Sequence, residues 1–120
     1  MATILVHVTT GPENPTKAAL AFLVAKTATE QGHEVSMFLA GDATQLLREN
    51  VLDSLIGLGT GSLRESYDAV VASGAAIYAS GMSSKARGVD QSDLEGKPVE
   101  FAMPDRLVEL AVQSDRVLTY

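Results

Sequence analysis

The 120 residues contain no cysteine. That removes disulfides, thiolate metal ligands and thiol nucleophiles from consideration. Positive charge is scarce as well. Nine Lys and Arg stand against fifteen Asp and Glu, for a formal net charge of −6 and a sequence pI of about 4.7. Such a chain lacks the basic face that nucleic acid or an anionic membrane requires, and leaves room only for a small anion in a locally basic pocket. Long apolar runs are also missing, since none approaches the roughly 18 residues of a membrane span. The opening MATILVHVTTGPENP has no basic segment ahead of a long apolar stretch, so no signal peptide is read there. The expectation is a cytoplasmic protein that binds neither nucleic acid nor membrane.

Apolar residues make up 46% of the chain, enough for a packed core. The length fits one domain spanning residues 1–120. Thr3–Thr9 is a β-branched run suited to a strand buried on both faces. TGPENP then reads as a loop, with Asn14 capping and Pro15 opening a helix. That helix is expected over Thr16–Gln31, with Leu20, Leu23, Val24 and Ala28 as its apolar stripe and Gly32 as its left-handed end. A second strand is expected over His33–Ala40, followed by a short helix around Ala43–Leu47.

Val51–Leu58 is apolar without clean periodicity, and GLGTGS reads as flexible punctuation. Ser62 stands three residues before Glu65, the spacing of a capping box, and opens a helix over Ser62–Ser73. A third main strand follows over Ala75–Ser80. Gly81–Lys97 reads as polar loop with one helical turn at Ser83–Arg87. Val99–Ala102 is a fourth strand, Pro104–Ser114 a last helix, and Arg116–Tyr120 a closing strand. Strands and helices alternating in this way predict an α/β fold, a parallel sheet with helices on both faces. Ligands in such folds bind beyond the carboxyl ends of the strands. Three loops lie there: TTGPENPT, AGDA and SGMSSKARG.

The first of these loops, with Thr10 and Asn14, sits where a phosphate cradle would. It matches neither GxxxxGK[ST] nor GxGxxG; Pro12 and Pro15 remove donors and Glu13 adds a repelling charge. A helix-capping loop is the favoured reading there. His7, among apolar neighbours, reads as a core histidine, and His33 as a surface one. Two isolated histidines make no metal site. Ser80 lacks the GxSxG elbow of a serine nucleophile, and Lys85 lies five residues on, too far for a Ser-x-x-Lys dyad. Lys85 and Arg87 are two cations placed where this architecture binds ligands. They either hold an anion or answer acidic residues on a neighbouring loop or subunit.

The stretches HVTTGPENPTKAALAFLVAKTATEQGHEVSMFLAGDA and GAAIYASGMSSKARGV, in that order and spacing, resemble the DsrE/DsrF-like proteins, which include the TusD-type sulfur-relay subunits. The resemblance implies a flavodoxin-like three-layer α/β/α fold with a five-stranded, mostly parallel sheet, assembled as a homotrimer or homohexamer. In the relay members a cysteine at the end of the third strand carries persulfide sulfur between partner proteins. The match places Ser80 at that position, and a neighbouring cysteine of other members would fall near Ser83. A hydroxyl cannot carry sulfane sulfur as a thiolate does. The expectation is therefore a binding protein rather than an enzyme, with no cofactor and no catalytic residue of its own. Its ligand or protein partner would meet Thr10, Asn14, Ser80, Ser83, Lys85 and Arg87. The alternatives are an accessory subunit that uses a sulfur-pathway partner's cysteine, and a flavin or nucleotide binder.

Overall fold

Thr3–Val8 becomes strand β1 near the middle of the computed structural model, which describes every residue from Met1 to Tyr120. The other strands are β2 (Glu34–Leu39), the two-residue pair β3 (Ile56–Gly57) and β4 (Gly61–Ser62), β5 (Ala76–Ser80), β6 (Val99–Ala102) and β7 (Arg116–Thr119). Five of them form one sheet in the order β6-β5-β2-β1-β7, and every neighbouring pair is parallel. The small β3–β4 hairpin is antiparallel and stands apart. In the sheet's register Val8 lies opposite Leu39, Leu39 opposite Ala79, and Ser80 opposite Ala102. The carboxyl ends therefore finish together, and the loops that follow them share one edge.

Helices α1 (Pro15–Glu30), α2 (Glu49–Ser54) and α3 (Leu63–Ala72), with a 3₁₀ turn over Gly41–Leu47, lie on one face. Val6, Val8, Val35, Met37, Leu39, Ile77, Ala79 and Val99 point into that layer. The opposite face is thin. Leu5 and Phe38 are covered there by Leu107, Leu110 and Ala111 of α5 (Pro104–Gln113). The two faces thus carry helices unequally, and strand β7 stays exposed along its whole length.

Capping explains the helix starts. Asn14 Oδ1 accepts the Lys17 N–H at 3.2 Å with Pro15 in the first turn, and Ser62 Oγ accepts the Glu65 N–H at 3.3 Å. Gly32 ends α1 with φ +85°, a conformation that costs a side-chain-bearing residue.

The face of α1 differs from the sequence expectation. Ala18, Ala21, Phe22, Ala25 and Ala28 form its buried stripe, while Leu20, Leu23 and Val24 are only half-buried. The helix is apolar nearly all round, so periodicity does not mark a core side. The small alanines let its backbone approach sheet and α3 closely, and the bulkier residues are left at the flanks. Two other segments also differ. Gly81–Ala86 is a helix, α4, where mostly loop was expected, and Glu49–Ser54 is the helix α2. Within the apolar run after it, Leu52 and Leu55 are buried by their own chain, whereas Ile56 and Leu58 stay exposed.

Candidate functional site

Ser80 ends β5 and begins α4. Its backbone leaves the strand, and its Oγ accepts the Ser83 N–H at 3.1 Å, which makes it the N-cap of the helix. The residue is 7% exposed. Ser83 in turn offers its own Oγ to the Gly41 N–H at 2.8 Å, tying α4 to the loop after β2. Arg87 completes this tie. Its Nε donates to Asp42 Oδ1 at 2.9 Å and its Nη1 to the Ser83 carbonyl at 3.2 Å. Arg48 Nη2 donates to the Arg87 carbonyl at 2.7 Å, and the same guanidinium pairs with Asp93 at 3.5 Å.

The loop after β1 touches this assembly at one point. A Cβ added to Gly11 would lie 2.1 Å from the Asp42 carbonyl oxygen, so only glycine allows the two loops to meet. The Gly11 N–H is spent on Glu13 Oε1 at 2.9 Å, and the Asn14 N–H on the Gly11 carbonyl at 3.2 Å. Thr10 is buried, and Asn14 is exposed at its cap. The Gly11, Asn14 and Lys17 N–H groups, donors that a phosphate would use, are therefore bonded within the loop itself.

Of the residues singled out from sequence, Ser80, Ser83 and Arg87 come together in one hydrogen-bonded network. Thr10 and Asn14 lie on the adjoining loop. Lys85 looks elsewhere. Gly81, Ser84, Lys85 and Gly88 follow helical spacing and line a separate cavity of about 390 Å³ on the other side of α4. Phe101 and Val89 give that cavity apolar surface, and Asp90 and Gln91 stand at its rim. Lys85 is exposed, and none of the chain's ion pairs involves it. Ser84 is 1% exposed, and its Oγ has no hydrogen-bond partner. The Asp90 carboxylate accepts from Ser92 Oγ at 2.5 Å and Ser92 N–H at 2.9 Å, which holds its pKa below the usual carboxylate range.

Reading Gly81–Lys97 as loop concealed this cavity. The signal was present in Ser80-x-x-Ser83, an N-cap spacing that starts a helix at Gly81 and sets Ser84 and Lys85 three and four residues on, along the stripe through Gly81. The contributions of Phe101 and Val89 are tertiary, and no local pattern announces them.

His7 lies on the thin face of the sheet, edge-on to Phe38 with ring centroids 6.3 Å apart. Its Nε2 is buried without a partner, and burial lowers its pKa. His33 Nδ1 accepts the Ala2 N–H at 2.9 Å, at the opposite end of the sheet. No group of three or more His, Asp and Glu side chains is placed to hold a metal ion.

The family model of the DsrE/DsrF-like family matches residues 2–120. Among solved structures similar in fold are the following two. The ychN protein from E. coli is 18% identical with a TM-score of 0.80, over 100% of each chain. A conserved protein of unknown function from Bacteroides thetaiotaomicron, BT1422, is 16% identical with a TM-score of 0.71, over 99% of this chain and 95% of that one. No curated protein matches the chain.

Proposed function

Because this chain belongs to the DsrE/DsrF-like family, a family linked to sulfur relay, we propose that it is a thiol-free member whose strand edge serves non-covalent binding. It works as a homo-oligomer, a trimer or hexamer, and takes a small acidic ligand with an apolar body into the cavity beside α4. It needs no cofactor and performs no catalysis. The proposed setting is the cytoplasm, within sulfur metabolism.

One observation carries this reading. The residue at the relay position, Ser80, is buried and uses its hydroxyl as a helix cap. A group committed to its own backbone is a poor meeting point for a partner's persulfide, which weighs against the accessory-subunit alternative. The internally bonded loop after β1 weighs against the flavin or nucleotide alternative. Lys85, by contrast, brings an unpaired charge to a cavity with an aromatic wall, the combination of apolar lining and few polar groups typical of ligand pockets. Support for assembly comes from exposed apolar side chains. Leu58 is 89% and Val112 79% exposed, joined by Ile56, Val108, Met82 and Met103, apolar surface that an interface between copies would cover.

Calorimetry with benzoate as the probe tests the site. Wild type should give saturable binding, and Lys85→Ala should weaken it about two- to fivefold by removing a solvent-screened ion pair. Absence of saturable heat, or equal affinity in Lys85→Ala, would overturn the reading.

A further inference from the structure

A second cavity, about 580 Å³, opens between α2, α3 and the segment 92–98 and shares no residue with the one beside α4. Its floor and walls include Glu49, Arg64, Tyr67, Asp68, Glu95 and Lys97. The family's relay edge plays no part in it.

Most of its charge is internally paired. Arg64 reaches Glu49 Oε1, Asp53 Oδ1 at 2.9 Å and Asp68 Oδ1 at 3.5 Å. Lys97, only 9% exposed in its side chain, holds Glu49 Oε2 at 2.9 Å and the Asp93 carbonyl at 2.8 Å. Both oxygens of Glu49 are thus taken, and both cations are answered. The lining still counts three carboxylates, Glu49, Asp68 and Glu95, against two cations, Arg64 and Lys97. Glu95 enters no ion pair, and Asp68 has a single long one.

The independent observation is Tyr67. It is 4% exposed, its ring packs beside Phe22 at 6.3 Å between centroids, and its Oη is buried with no partner. Burial pushes this hydroxyl up to about 12, and the charges that act on it are Arg64, Asp68 and Glu49, all of the cavity wall. A buried hydroxyl without a partner costs about 1–3 kcal/mol. A ligand donor reaching its oxygen would recover part of that cost.

We propose that this cavity binds a primary alkylammonium group, with Tyr67 Oη as acceptor on its floor and the Asp68 and Glu95 carboxylates supplying the charge. The excess of carboxylates disfavours an anion. A guanidinium would want a free carboxylate fork, and Glu49, both of its oxygens already paired with Arg64 and Lys97, has none to give. An ammonium is a compact charge with three separate donors, which suits a hydroxyl and two independent carboxylates. The overall charge of −6 favours approach of such a cation.

The probe is 1,4-diaminobutane, titrated into the full chain by calorimetry at low ionic strength, where carboxylate attraction is least screened. Saturable binding is expected, with 1,4-butanediol silent. Tyr67→Phe should weaken binding about tenfold or more and Asp68→Asn, whose carboxylate is solvent-screened, about two- to fivefold, while circular dichroism shows both variants folded. Equal affinity in wild type and both variants would overturn the proposal, as would no saturable heat from the diamine. Lys85→Ala leaves this binding unchanged, so the two sites fail or succeed independently.

Discussion

The Ser80 hydroxyl accepts the Ser83 N–H at 3.1 Å, and through that bond the end of a strand becomes the start of a helix. Capping bonds of this kind contribute about 1 kcal/mol. Ser80→Ala should therefore lower the unfolding free energy by about that amount in urea, with Ser80→Asp retaining most of it. A loss near zero for Ser80→Ala would mean the cap does not hold α4 in place.

Ser80→Cys separates a structural position from a reactive one. The two cations that would activate a thiol there are committed or turned away, Arg87 to Asp42 and Lys85 to the neighbouring cavity. With position 80 buried as well, alkylation in the folded protein should be slower than that of a free cysteine peptide. Faster alkylation at neutral pH would show that the edge still activates sulfur.

How far the sequence disclosed this edge depends on the range of each signal. Strands such as Thr3–Val8 carry their own signature in consecutive apolar and β-branched residues, and Asn14-Pro15 and Ser62 announce helix starts locally. The core face of α1 was not legible, because Leu20, Leu23 and Val24 are as apolar as the residues that won. Which face turned inward was decided by how closely alanines let the helix approach its neighbours. Lys85 and Arg87 look equivalent two residues apart on the chain. Across the end of α4 they part, Arg87 turning to Asp42 and Lys85 to the cavity beside the helix.

The pH dependence of stability should carry a contribution from His7. Burial lowers its pKa from 6.5 in the folded chain, so the unfolded chain takes up the proton first as pH falls. Stability is therefore lost as pH drops below about 6.5, the ordinary histidine value. His7→Phe should be less sensitive than wild type between about pH 7 and pH 5.5. Identical pH profiles would contradict the assignment.

Tyr67 gives the mirror case at alkaline pH. The unfolded hydroxyl ionises near 10.0 while the folded one holds its proton to about 12, so stability falls as pH rises through that window. Tyr67→Phe removes this slope. Near neutrality it should be neutral or slightly stabilising, since the hydroxyl it deletes is buried without a partner. Destabilisation by more than about 1 kcal/mol would show that the hydroxyl is bonded after all.

Assembly is read by light scattering at micromolar concentration. A trimeric or hexameric multiple of the 12.6 kDa chain is expected, and Val112→Lys or Leu58→Lys should shift it toward monomer if those exposed side chains are covered in the assembly. A wild-type monomer would contradict it.

The proposed place of binding is the cavity beside α4 and not the Ser80 hydroxyl. Amide chemical-shift mapping with benzoate tests this directly on the wild-type protein. The largest shifts should fall on Gly81, Ser84, Lys85, Gly88, Asp90 and Phe101, with Gly11, Glu13 and Asn14 unmoved. Shifts concentrated on the loop after β1, or none at any residue, would contradict it.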